Sequence, residues 1–197
     1  LIHSDNIYFA QAALQIGKKN FTDGLNKILF NQDLNLEIST AKSQYSNSKD
    51  ISNEKVLADS GYGQGEILVN PIHMASIYSA FANNGSMVKP YIEYENGKTE
   101  ILKQDVFTAE TANTIKNDLI QVVERGTAKD CKIEGKTIAG KTGTAETKAS
   151  QDDKNGEEIG WFNAFDEDGL LVISLIENAK SKSGSHYVVN KIRTIFE

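Results

Sequence analysis

The chain of 197 residues has one cysteine, two prolines, one tryptophan and three histidines. A lone Cys131 excludes an internal disulfide framework and any all-cysteine metal site. His3, His73 and His186 share no ligand-like spacing, so no zinc or other cofactor is expected. No apolar run approaches the roughly 20 residues that cross a bilayer. The longest, Leu170 to Ile176, is strand-sized and interrupted by Ser174. No signal peptide pattern is present. Cationic charge is also scarce, with 21 Lys and Arg against 27 Asp and Glu and a net charge of −6. That argues against a nucleic-acid partner, because phosphate binding wants a basic face. The first residue is a leucine rather than an initiator methionine, which suggests a stretch of a longer or processed chain.

Hydrophobic residues still make up 39% and the mean hydropathy is −0.40, enough for a core. Residues 7–16 carry helical apolar spacing and end at Gly17, a C-cap residue. Residues 21–30 read as a second short helix with Thr22 as N-cap. Residues 31–59 are polar, and the expectation is loop with a short helix at most; 60–70 hold three close glycines and read as a turn. Asn70, Pro71 and Gly85 punctuate a helix, and Asn96-Gly97 signals a β-hairpin within 86–107. Thr108 opens a helix whose Ala112, Ile115, Leu119, Val122 and Val123 share one face, and Gly126 stops it. The period then falls to two. Strands are predicted near 136–145, 159–165 and 170–177, the last two joined through Asp166–Gly169, before an amphipathic helix over 185–197. A largely helical stretch, 1–135, thus precedes a β-β-β-α stretch, 136–197, an α/β chain of the α+β type.

Chemistry is concentrated in "GKTGTAE". Thr142 and Thr144 alternate onto one face of a strand, and Gly143 leaves backbone open to a ligand. Two hydroxyls beside a lysine suit a carboxylate, although Lys141 is offset by one position and must reach around the strand. Read alone, Lys-Thr-Gly is better explained as a solvated edge strand. Ser4-Asp5-Asn6, directly before an apolar helix, is by itself better explained as an N-cap cluster. Asp152, Asp153, Glu157 and Glu158 read as a solvated acidic loop, Trp161 as core or cleft wall, and Cys131 as unreactive.

Ser-x-Asn followed by Lys-Thr-Gly is, however, an ordered pairing found in penicillin-binding proteins and class A β-lactamases. Together with "SGYGQGEILVNPIHMASIYSAFANNGSMVKPYI", the approach "VVERGTAKDCKIEGKTIAGKTGTAE" and the strand "GWFNAF", it makes the chain resemble the transpeptidase domain of class B penicillin-binding proteins over nearly its whole length. The resemblance implies an antiparallel sheet flanked by helices, plus a helical lobe. It also implies serine acyl transfer on D-Ala-D-Ala stem peptides of peptidoglycan, acylation by β-lactams, and an extracytoplasmic place at the bacterial membrane, anchored by a segment outside this chain. Other cell-wall synthesis proteins are possible partners. The family's nucleophile lies in Ser-x-x-Lys upstream of Ser-x-Asn. The matches at Ser39–Lys42, Ser46–Lys49 and Ser52–Lys55 come after it, in a polar stretch that gives no buried helix to lower a lysine pKa from near ~10.4. They are read as chance, so the chain lacks its nucleophile and is expected to be inactive alone.

By the resemblance, Ser4 relays a proton to the leaving amine and Asn6 holds the absent lysine and the substrate amide. Lys141 supplies positive potential, Thr142 and Thr144 hold the substrate carboxylate beside Gly143, and the Thr144 N–H forms half of an oxyanion hole. Two alternatives stand beside this: a serine β-lactamase or β-lactam sensor, for which the region of Glu37 lacks the deacylation pattern, and a non-catalytic binding half-domain. Three structural expectations follow. Ser4 and Asn6 should face Lys141, Thr142, Gly143 and Thr144 across a groove. The Lys-Thr-Gly strand and the first helix should each expose an apolar face that upstream sequence covers. The missing upstream segment of the same domain should be a partner of both.

Overall fold

Asp5 starts the first helix: its carboxylate accepts from the Tyr8 N–H at 2.9 Å. This structure is a computed structural model describing residues 1–48, 50–93, 99–147 and 156–197. It divides into two units, Asp5–Thr108 and Leu1–Ser4 with Ala109–Glu197.

In the first unit, α1 spans Asn6–Ile16 and α2 spans Lys18–Lys27. Gly17, at φ +78°, ends one and starts the other, its N–H bonding the Ala13 carbonyl at 3.0 Å. This corrects the expected cap at Thr22. Gly17 turns the chain so early that Thr22 falls inside α2, where its hydroxyl is 3.0 Å from the Lys18 and Lys19 carbonyls. Ala13 is buried, and α1 packs on α3, Glu54–Gly61. A Cβ on Gly61 would stand 2.5 Å from the Phe9 carbonyl oxygen, so only glycine permits this approach. α1 also leaves Ile7 at 73%, Tyr8 at 64%, Leu14 at 43% and Ile16 at 49% exposure, with Ile7 and Leu14 on the side away from Ala13.

The stretch 31–59 is less solvated than its composition suggests. Ser43, Tyr45, Ser46 and Ile51 are all buried. Ser46 Oγ lies 2.7 Å from the Asp50 carbonyl and 2.9 Å from Glu66 Oε2, so polar side chains satisfy one another there. α4, Pro71–Ala82, is capped by Asn70 as expected. Strands β1, Met87–Val88, and β2, Ile101–Lys103, pair antiparallel; Asn96-Gly97 lies outside the described residues.

The second unit holds α5, Ala109–Arg125, and an antiparallel sheet in the order β3, β4, β5: Ile138–Thr147, Glu157–Asp166 and Leu171–Ile176. The β4–β5 turn is set by Asp166, whose Oδ1 accepts from the Asp168 and Leu170 N–H groups. Val122 and Val123 of α5 join Ile138, Phe162 and Ala164 of the sheet. Val188, Val189, Ile192 and Phe196 of α6, Ser185–Phe196, complete that core. The period of two thus fits a sheet with one face under two helices. β3 itself does not expose the apolar face expected of it. Its Ile138 and Ala139 are buried, and its exposed positions, Thr144, Glu146 and Thr147, are polar.

His73 ties three segments of the first unit. Its Nε2 is 2.7 Å from the Ile28 carbonyl and must donate, so Nδ1 accepts from the Ser43 hydroxyl at 2.8 Å. Ser43 Oγ in turn accepts from the Asn70 N–H at 2.9 Å. Burial pushes the His73 pKa below its ordinary value, with the Ile28 bond opposing in part. The folded state therefore prefers the neutral ring. Its stabilising contribution is full above the unfolded value of ~6.5 and is lost as pH falls below it. NMR should show the His73 ring as the neutral Nε2–H tautomer and titrating below a free imidazole, and Ser43→Ala should cost roughly 1–3 kcal/mol at neutral pH by leaving His73 Nδ1 and the Asn70 N–H unpaired. A ring that titrates at or above the free value, or a Ser43→Ala without effect, would contradict the network.

Candidate active site

Ser4 belongs to the same unit as the sheet, and a turn presents it: its N–H bonds the Leu1 carbonyl at 3.2 Å and its φ is +52°. A positive φ on a serine is costly, of order 1–3 kcal/mol, and persists only where the surroundings fix it. Part of that fixing comes from Gly126 and Thr127, just after α5. The Thr127 N–H bonds the Ile2 carbonyl at 3.3 Å. A Cβ on Gly126 would lie 2.6 Å from the same oxygen, so glycine is required.

Lys141 reaches this turn. Its Nζ donates to Ser4 Oγ at 2.5 Å and to the Thr142 carbonyl at 2.8 Å, across 137 positions of sequence for the first bond. The first distance is below the usual range for a charge-assisted bond. Burial pushes the Lys141 pKa below that of a free lysine. The reach around the strand is therefore accomplished by folding the cation back over its own neighbour's carbonyl. With a cation on its oxygen, the Ser4 hydroxyl keeps its own proton to give and can accept another's, which is what a relay needs.

Thr142 is 9% exposed and its Oγ1 is 2.7 Å from Thr127 Oγ1. Thr144 is exposed, opposite Gly160 on β4. Gly143 stands opposite Trp161, and a Cβ there would come 3.3 Å from the Trp161 Cβ. Trp161 is half-buried on β4, in keeping with a wall residue. Gly140 is more constrained, since its Cβ would be 2.9 Å from the Phe162 ring. Asn6 is the first residue of α1 and exposed, in the unit that begins at Asp5.

Two residues of this neighbourhood were not foreseen. Thr127 sits in "RGTAKDC", which reads only as a helix exit. Asn163, directly opposite Lys141, is 6% exposed, and its Oδ1 has no partner among the described residues. An asparagine amid "WFNAF" is the signal that could have marked it. The other candidates take no part in the contact between Lys141 and Ser4. His186 Nδ1 lies 3.7 Å from Asp130, and Cys131 is buried with its thiol pushed up to about 11 by desolvation. Glu157 is exposed, Glu158 is half-buried, and Asp152 and Asp153 lie outside the described residues. Among the described residues no cluster of three or more His, Cys, Asp or Glu could hold a metal. Ser39, Lys42, Ser52 and Lys55 are exposed, Ser46 is buried in its own network, and Lys49 lies outside the described residues.

All 197 residues match the family model described as the penicillin-binding protein transpeptidase domain, and the chain belongs to that family. Penicillin-binding protein 3 of Bacillus subtilis is 44% identical over 202 residues, covering 100% of this chain and 30% of that protein. Among solved structures, a peptidoglycan glycosyltransferase described from Atopobium parvulum superposes with a TM-score of 0.83 at 24% identity, over 100% of this chain and 49% of that one. Penicillin-binding protein A of M. tuberculosis, in a ceftriaxone acyl-enzyme complex, gives 0.84 at 19% identity, over 98% of this chain and 46% of that one. These likenesses establish the fold, a transpeptidase-type arrangement of antiparallel sheet and helices. The chain spans under a third of the curated relative and about half of each solved one.

Lys141 is half-buried, and its desolvation as a cation is unfavourable to stability. Lys141→Met keeps the stem's volume and removes the charge. It should leave the melting midpoint of the whole protein unchanged or raise it by a few degrees, because replacing a buried charge with an apolar group is often neutral or stabilising. A drop of ten degrees or more would show the cation to be structural instead.

Proposed function

We propose that this chain is the later part of a peptidoglycan D,D-transpeptidase domain that cross-links stem peptides by serine acyl transfer and is acylated by β-lactams. The observation that carries the reading is the 2.5 Å bond from Lys141 Nζ to Ser4 Oγ, which joins the two family motifs. In this reading the attacking serine and its lysine base belong to sequence outside residues 1–197, acting extracytoplasmically on an anchored protein. Among the described residues no helix is long and apolar enough to cross a membrane.

The roles follow from charge and reach. A nucleophilic serine attacks the D-Ala-D-Ala carbonyl, and its proton leaves to the base. Ser4 passes a proton on to the departing amine, its oxygen held ready by Lys141. That cation also lowers the energy of the anionic tetrahedral intermediate and of the terminal carboxylate nearby. Thr142 and Thr144 give hydroxyl donors to that carboxylate, with Gly143 leaving room for it to lie along the strand. The Thr144 backbone N–H is one oxyanion donor, worth about 10²–10³ in rate. Asn6 holds the base and the substrate amide. A β-lactam enters the same path and stalls as the acyl-enzyme.

The test is labelling by a fluorescent penicillin of residues 1–197 alone and of the longer protein containing them, followed by peptide mapping. The longer protein should carry the label on a serine outside 1–197, the isolated stretch none. Ser4→Ala and Lys141→Met in the longer protein should slow acylation by about 10²–10⁴. A label on Ser39, Ser46 or Ser52 would sink the assignment of the nucleophile, and an unlabelled longer protein would sink the function.

A further inference from the structure

We propose that Thr127 is a positioning residue of this site: its hydroxyl donates to Thr142 Oγ1 and thereby turns the Thr142 proton toward the substrate carboxylate. The inference rests on the transpeptidase reading and extends it to a residue outside the motifs.

The two hydroxyl oxygens are 2.7 Å apart, so one of the pair must donate to the other. Thr142 has a single O–H. If it donates to Thr127, it can offer a carboxylate only lone pairs, and two oxygen acceptors repel. If Thr127 donates, the Thr142 proton is free, and its oxygen is polarised by the incoming bond. A bound carboxylate therefore selects the second arrangement, and Thr127 sets which way the donor points. Thr142 is too buried at 9% exposure for bulk water to take over that part readily.

Thr127 is itself well anchored. Its backbone N–H bonds the Ile2 carbonyl at 3.3 Å, two residues before Ser4. Ala128, next in sequence, is fully buried in the core beneath the sheet. One residue thus braces the turn that carries Ser4 through its backbone and the strand that carries Thr142 through its side chain. The side-chain part is separable from the backbone part by substitution, since valine keeps the shape and the N–H and loses only the hydroxyl.

The experiment is the acylation rate of the full protein by benzylpenicillin, which carries the carboxylate, and by its methyl ester, which does not. Thr127→Val should slow benzylpenicillin about three- to tenfold, the loss of one neutral hydrogen bond, while the ester rate stays at the wild-type level. Thr127→Ser, which restores the donor, should recover the benzylpenicillin rate. The ester rate shows at once whether the variant is folded. Equal slowing of both compounds, failure of serine to rescue, or an unchanged benzylpenicillin rate each overturns the inference while leaving the transpeptidase reading intact. A wild-type protein that neither compound acylates overturns that reading and the inference with it.

Discussion

The bond between Lys141 and Ser4 is the point at which the constraints of the second unit meet. It joins two residues 137 positions apart, and it is short. To make it, a cation must lie where desolvation disfavours charge. To receive it, a serine must hold a positive φ. Neither condition is cheap, and both are imposed from outside the pair. The glycine and threonine after α5 fix the turn, while the β3–β4 ladder fixes the strand, with ten paired positions in continuous register. A register slip of one would turn Lys141 to the helix-covered face and Thr142 away from Thr127.

The alternation that places the lysine also separates two tasks. Ile138, Gly140 and Thr142 share the face that packs under α5 and α6, and Lys141 and Gly143 share the other. Gly140 is demanded by the Phe162 ring, whereas Gly143 has, among the described residues, only the Trp161 side chain near it. Two glycines three positions apart in one strand therefore answer to different needs, one to packing and one to access. The same division runs through the hydroxyls, since Thr142 is held within the protein and Thr144 is exposed.

Much of this was legible in the sequence because it depends on local rules. Asn70-Pro71 and Gly17 mark helix ends through dihedral and donor constraints that act within a turn. The switch to a period of two located all three strands to within about two residues. The motif residues were named from order and spacing, and Ser4 and Lys141 do meet. What escaped depends on partners distant in sequence. Thr22 looked like a cap because a nearer glycine's effect on chain direction is not written in propensity. The buried Ser43 and Ser46 looked solvated because partners of theirs, His73 and Glu66, lie further on. Thr127 looked like an ordinary exit residue because its partner is 15 positions away.

Gly160 shows how narrow the room for change is beside the motif. A Cβ at this position would lie 3.0 Å from the Gly184 carbonyl oxygen and 3.1 Å from the Ala179 side chain. Gly160 is the ladder partner of Thr144, and Gly184 immediately precedes α6. The entry to the last helix is thus seated on the same face of the sheet as the motif hydroxyl of Thr144, whose Oγ1 is 3.8 Å from where a Cβ on Gly184 would stand. Substitutions arising far downstream, where α6 begins, are transmitted through this contact to a residue proposed to meet substrate. Drift at the chain's end is therefore filtered by the demands of its centre, and the tolerance of α6 to change should be graded, strictest at its first turn and loosest on its outer side.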